Sequence, residues 1–144
     1  MNDLKKQYPF VSSQDLIWSD MDAFQHINNA VYFRFFEDVR MAFFKNAGVV
    51  EHKNKTQIGP ILASTRCDFR APLTFPDTIQ LATIIKDIQP NRFKMKYIVY
   101  SENLDKVAAE GEGLIVYYDY RQQKSCDIPA TILASINALQ LGFD

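Results

Sequence analysis

The stretch Trp18-Ser19-Asp20-Met21-Asp22-Ala23-Phe24-Gln25-His26-Ile27-Asn28-Asn29 brings two carboxylates, one imidazole and three side-chain amides within ten residues. No other ten-residue stretch joins two carboxylates to a histidine. A strongly helical run starts where this stretch ends. The first N–H groups of a helix have no partner within it, and its dipole favours negative charge there. Such an end can hold the oxyanion of a tetrahedral acyl-transfer intermediate, which is a physical reason to place an acyl carbonyl here. A carboxylate of pKa about 4 is a weak base in water, and partial burial raises both that value and its competence. It can activate a water molecule or attack the carbonyl itself to give a mixed anhydride.

The helix that must position these groups is predicted from about Asn29 to Ala47. Asn28 or Asn29 can cap its start, Lys45 stands in its last turn, and Gly48 supplies the stop. Tyr32, Phe35, Phe36, Val39 and Phe43 recur at helical spacing, and Val31, Phe33, Ala42 and Phe44 carry apolar character further round the cylinder. A helix so rich in aromatics needs covering on most sides, and in a chain this size the cover must be a sheet.

The remaining residues supply that sheet. A short apolar element, Asp15 to Trp18, precedes the polar segment. From Ile61 to Arg70 the chain alternates at strand period, and Pro72 and Phe75-Pro76-Asp77 punctuate it. Thr78 to Lys86 is rich in β-branched residues, Phe93 to Val99 alternates with Lys94 and Lys96, and Lys106 to Tyr120 completes four strands. Gly111 and Gly113 share a face of the last strand, where they would let the helix approach closely. Pro129 opens a small helix with Ile132, Leu133, Ile136 and Leu139 on one side. The expectation is an α+β fold: an antiparallel sheet of about five strands, four of them consecutive, wrapped around one long central helix, with a small C-terminal helix.

The pattern Asp20-x-Asp22-x-x-x-His26-x-Asn28-Asn29, followed by Tyr32, resembles the hotdog-fold thioesterases of the 4-hydroxybenzoyl-CoA thioesterase and acyl-CoA thioester hydrolase families. It is also similar to the corresponding segment of plant acyl-ACP thioesterases. The resemblance implies that Asp22 is the catalytic carboxylate and that Asn29 offers an oxyanion-binding backbone N–H. It implies that His26 supports the carboxylate or positions the thioester and the attacking water, and that the site forms between two subunits. Where the acyl-ACP enzymes carry a catalytic asparagine, this chain has Phe24, which points away from a carrier-protein substrate. The implied reaction is hydrolysis of an acyl-CoA thioester to free acid and coenzyme A. A thiolate leaves easily, since a thiol pKa is about 8.5, so the reaction needs little general-acid help. Asn28, Phe24 and Tyr32 are assigned to substrate binding. Asp20 is read as a turn former, and His52 as a solvated residue of the polar Glu51–Lys55 segment. Arg66, Arg70, Arg92 and Lys94 could meet coenzyme A phosphates and are left outside the site.

Size and composition narrow the alternatives. With 144 residues, 47% apolar and 23% charged, the chain reads as one globular domain spanning residues 1–144. The net charge of −1 and scattered cations give no nucleic-acid footprint. No run approaches the ~18 apolar residues of a membrane span, and the polar N-terminus is not a secretory signal, so a cytoplasmic protein is expected. Cys67 and Cys126 are read as reduced thiols. Two distant histidines give no metal site, and no cofactor is expected. Exposed sheet edges favour a homodimer or homotetramer. Two other functions remain: a non-catalytic hotdog module that binds acyl-CoA or lipid, and an acyl-thioester hydratase or dehydratase. That last branch places Asn-Pro where this chain has Ala23-Phe24-Gln25.

Overall fold

A computed structural model describes residues 3–143. The expected long helix is α2, Asn29–Asn46, and Tyr32, Phe35, Phe36, Val39 and Phe43 are all buried along it. Around it curls one antiparallel sheet in the order β1-β3-β4-β5-β2, formed by β1 (Phe10–Asp15), β2 (Ile58–Phe69), β3 (Thr78–Gln89), β4 (Arg92–Ser101) and β5 (Lys106–Asp119). A two-residue β6, Lys124–Ser125, pairs with β5. Phe93, Met95, Tyr97, Val99 and Ile115 point inward against the helix, which is the strand-period reading realised.

Several elements differ from the sequence expectation. The first strand lies earlier, at Phe10–Asp15, and Trp18–Asp20 forms a single 3-10 turn; Trp18 and the preceding Ile17 are exposed rather than sheet-bound. β2 and β3 are not a hairpin. β2 pairs with β5 at one edge, so Arg70–Asp77 crosses the open end of the curl to reach β3. Leu73, fully buried, anchors this crossover. Gly48, at φ 80°, ends α2 as predicted, but the chain restarts at once as α3, Val49–Thr56. His52 is half-buried there, with its ring nitrogen 3.2 Å from the Thr56 hydroxyl, and is not simply solvated.

The two glycines of β5 have different reasons. A Cβ on Gly111 would lie 2.2 Å from the Phe36 ring, so α2 does approach there. At Gly113 the close neighbour is the Tyr97 hydroxyl, 2.9 Å from such a Cβ, which is a side chain of the adjacent strand and not the helix. A helix α1, Leu4–Gln7, covers a small cluster on the outer sheet face formed by Leu4, Ala82, Ile98 and Tyr100. The C-terminal helix α4, Ala130–Leu139, buries Ile132 and Ile136. Just beyond it the Gln140 amide closes the free edge of β3, accepting from the Ile85 N–H at 2.6 Å and donating to its carbonyl at 3.0 Å. Both cysteines are free thiols. No described helix is long and apolar enough to cross a membrane, and no described cluster of three or more ligating side chains could hold a metal.

Candidate active site at the start of the central helix

The polar segment folds back on itself as a miniature hairpin. The Asp22 N–H donates to the His26 carbonyl at 2.9 Å, the Asn28 N–H donates to the Asp20 carbonyl at 3.0 Å, and Met21 pairs with Ile27 between them. Gln25 takes a left-handed φ of 65° to make the reversal. Alternate residues of such a ladder face opposite ways. Ile27 is therefore driven into the core, and its N–H donates to the Leu73 carbonyl at 2.8 Å, tying the hairpin to the crossover. Asp22 and His26 occupy facing positions on the other side. The spacing from Asp22 to His26 is the spacing of this turn.

α2 begins immediately after. The Asn28 side chain is the N-cap, accepting from the Ala30 N–H at 3.0 Å, and the Val31 N–H donates to the Asn28 carbonyl at 2.9 Å. The Asn29 N–H has no acceptor among the described residues, so one donor of the first turn stays free. One oxygen of Asp22 accepts from the Phe24 N–H at 2.9 Å. The second has no such partner among the described residues.

A cleft of about 420 Å³ opens here, lined by Asp22, Phe24, His26, Ile27, Asn29 and Tyr32 on one side and by Phe69, Arg70, Ala71 and Pro72 on the other. Five of the six residues assigned to the site from sequence thus share one cavity. Asn28 does not line it, because its amide is spent on the cap. Tyr32 is buried beneath the cleft, edge-on to Phe69 at 5.0 Å between ring centroids, and burial pushes its phenol up to about 12. Burial likewise holds the neighbouring Cys67 thiol at about 11, far from a reactive thiolate. Phe24 is 83% exposed and Phe69 45% exposed, so the cleft's apolar walls stand open on one side.

Two features of the site were not assigned from sequence. Asp20 is more than a turn former: its carboxylate takes both Nη atoms of Arg34, one at 3.1 Å, and so fastens the hairpin to the second turn of α2. That pairing raises the Arg34 pKa. Phe69 and Arg70 close the far wall, with Arg70 held by Glu110 at 2.6 Å. The sequence marks Arg70 as a cation that could meet phosphates and Phe69 as the end of a strand before Pro72, and places neither in the site.

A helix engulfed by a curled antiparallel sheet, with a polar hairpin at its amino end, is the hotdog fold of thioesterases. The profile of the thioesterase-like superfamily matches residues 16–136, and the chain belongs to that superfamily. It is 23% identical over 126 residues to a putative esterase of Aquifex aeolicus, covering 87% of this chain and 95% of that one. It is 21% identical over 105 residues to the long-chain acyl-CoA thioesterase FadM of Escherichia coli, covering 73% and 80% of the two chains. A Thermus thermophilus thioesterase solved with coenzyme A and zinc superposes with a TM-score of 0.80 at 21% identity, over 92% of this chain and 94% of that one.

Proposed function

We propose that this protein hydrolyses an acyl-CoA thioester to the free acid and coenzyme A. The observation that carries the reading is the convergence of Asp22, His26 and the free Asn29 N–H on one cleft. The acyl carbonyl lies over the first turn of α2, where the Asn29 N–H and the helix dipole take up the charge that develops on its oxygen. The free oxygen of Asp22 removes a proton from a water molecule as that water's oxygen bonds to the carbonyl carbon, or attacks that carbon itself. The C–S bond breaks and the thiolate of coenzyme A departs, leaving the free acid in the first case and in the second an acyl–Asp22 mixed anhydride, which water hydrolyses to the acid and the free carboxylate. His26 orients the water and the carboxylate across the hairpin. Asn28 acts through the cap that fixes the helix start, while Phe24, Tyr32 and Phe69 flank the acyl group. Arg70, at the rim, offers a cation to the phosphates of coenzyme A.

The working unit is a single-domain chain paired with a second copy, in the cytoplasm. β2 is the sheet's edge, and residues 61–66 are exposed on both faces. An edge strand with Ile61, Leu62 and Phe69 uncovered invites a partner, and that partner would close the open side of the cleft.

The test is thiol release from short, medium, long and aromatic acyl-CoAs, followed with a thiol-capture dye. Turnover is expected for the wild type, and Asp22→Asn is expected to lower kcat by at least about 10²-fold while far-UV circular dichroism is unchanged. An Asp22→Asn protein that kept its full rate would end this assignment. Tight binding of acyl-CoA without any turnover would return the non-catalytic module as the function.

A further inference from the structure

Arg40 sits on α2 with 7% of its surface exposed, and no carboxylate lies within ion-pair distance of it among the described residues. Its one hydrogen bond is from Nη1 to the Tyr97 hydroxyl at 3.0 Å, with the guanidinium over the Tyr97 ring at 5.9 Å. A neutral phenol does not offset the cost of removing a guanidinium from water, and buried charges are ordinarily paired. The Tyr97 hydroxyl lies over Gly113 beside Leu62 of β2, so Arg40 occupies the side of α2 that faces the sheet's open edge.

That side of the helix carries one more chargeable group. Phe33, Glu37 and Met41 follow one another at intervals of four residues and form a stripe beside Arg40. Phe33 and Met41 are exposed, as are Ile61 and Leu62 on the neighbouring edge strand. Glu37, exposed in the middle of this apolar surface, makes no ion pair or hydrogen bond among the described residues. The surface therefore offers an acid without a base and, three residues further along the helix, a base without an acid.

We propose that this face meets its own image in a second copy of the chain, where Arg40 of each protomer is neutralised by the partner subunit's Glu37. A two-fold axis perpendicular to α2 sets the two helices antiparallel. Residues three apart then meet reciprocally, giving two identical ion pairs under the cover of Phe33 and Met41. The inference rests on the two-copy reading of the site and adds what selects the partner: a like chain supplies both halves of the charge pattern. An apolar protein of another kind would bury Arg40 still unpaired.

The test is sedimentation equilibrium of the full chain. Wild type is expected as a dimer at micromolar concentration. Glu37→Ala is expected to raise the dimer dissociation constant at least about 30-fold, the loss measured when one partner of a buried charge pair is removed, and Glu37→Arg to leave monomer. In an Arg40→Met background Glu37→Ala is expected to have no further effect. If Arg40→Met fails to fold, the two Glu37 variants, altered at an exposed position, decide the matter. A dimer whose dissociation constant is untouched by Glu37→Ala and Glu37→Arg overturns the ion pair and leaves the two-copy site standing. A wild type that is monomeric throughout the micromolar range overturns both, and thiol release by that monomer would show that hydrolysis needs no partner.

Discussion

Replacing Gly111 by alanine tests the way the sheet holds the helix that carries the site. The added methyl would stand 2.2 Å and 2.3 Å from two carbons of the Phe36 ring and 2.9 Å from the backbone carbonyl oxygen of Arg66. None of these distances is tolerable between unbonded atoms, so something must move. The Arg66 carbonyl belongs to β2, paired through the Cys67↔Gly111 register, and cannot retreat without opening the sheet. The Phe36 ring is stacked on Tyr97 at 4.7 Å with 12° between planes, and Tyr97 is itself tied to Arg40. Relief therefore lifts α2 away from β5. Overpacking of a filled core costs about 1–3 kcal/mol, and a backbone obstacle puts this case at about 2–3. For a chain of this size that corresponds to a fall in Tm of roughly 6–12 °C. The assay is urea and thermal unfolding of Gly111→Ala, Phe36→Leu and the double variant. Phe36→Leu alone costs about 1–2 kcal/mol through the space it leaves, and the same space admits the new methyl. The double variant is therefore expected to be at least about 1 kcal/mol more stable than the sum of the two losses implies. A Gly111→Ala protein within about 0.5 kcal/mol of wild type would refute the claim that the helix is seated against this strand.

Asn28→Ala removes the α2 cap and is expected to cost about 1 kcal/mol in chemical unfolding, with Asn28→Asp close to wild type. Asp20→Asn loosens the grip of the hairpin on Arg34; because Arg34 is well exposed the stability change is expected under about 1 kcal/mol, with a fall in kcat at little change in KM. Gln140→Ala leaves the Ile85 N–H and carbonyl without partners, and a loss of about 1–3 kcal/mol is expected, with faster amide exchange at Ile85. Cys67 and Tyr32 are held protonated in the fold, at about 11 and about 12 against ordinary values of 9.0 and 10.0. Above pH 9 the unfolded chain loses these protons before the folded one does, so stability is fully present below pH 9 and falls as pH climbs towards 12. Cys67→Ser is expected to flatten the first part of that decline in unfolding curves taken from pH 8 to 11.

The central helix was legible because its signals are local: a capping asparagine, aromatic spacing at one face and a glycine stop. Its observed span, Asn29–Asn46, differs from the reading by a single residue. What escaped was non-local. Arg70–Asp77 contains two prolines and a Phe-Pro-Asp run, the marks of a tight turn, and nothing within it says that β2 belongs across the sheet beside β5. Leu16-Ile17-Trp18 looks like part of a strand because it is apolar, yet only Leu16 is buried. The alternation of β2 predicts one covered face, but the chain exposes both between residues 61 and 66, because β2 is an edge strand with a neighbour on one side alone. Phe69, and Arg70 beyond its reading as a possible phosphate-binding cation, fall outside the site read from sequence for a related reason: they reach the cleft through the crossover, not through sequence proximity to Asp22.

The distribution of work in the cleft explains why so short a motif carries so much. The N–H proposed to receive the oxyanion is a backbone group, and no side chain specifies it. The chain fixes it indirectly, by satisfying its neighbours: the Asn28 amide takes the Ala30 N–H, the Asn28 carbonyl takes the Val31 N–H, and the Asn29 N–H is left over. Asp22 is likewise half committed, with one oxygen bound to the Phe24 N–H and the other left without a hydrogen-bond partner among the described residues. The hairpin needs an asparagine at 28 to cap, a residue at 25 that tolerates left-handed backbone, and an apolar anchor at 27. Asp22 and His26 are then the positions that the turn leaves facing the cleft. The proposed chemistry is therefore most vulnerable to changes that shift the hairpin against the helix, and Asp20 with Arg34 is the contact that resists that shift.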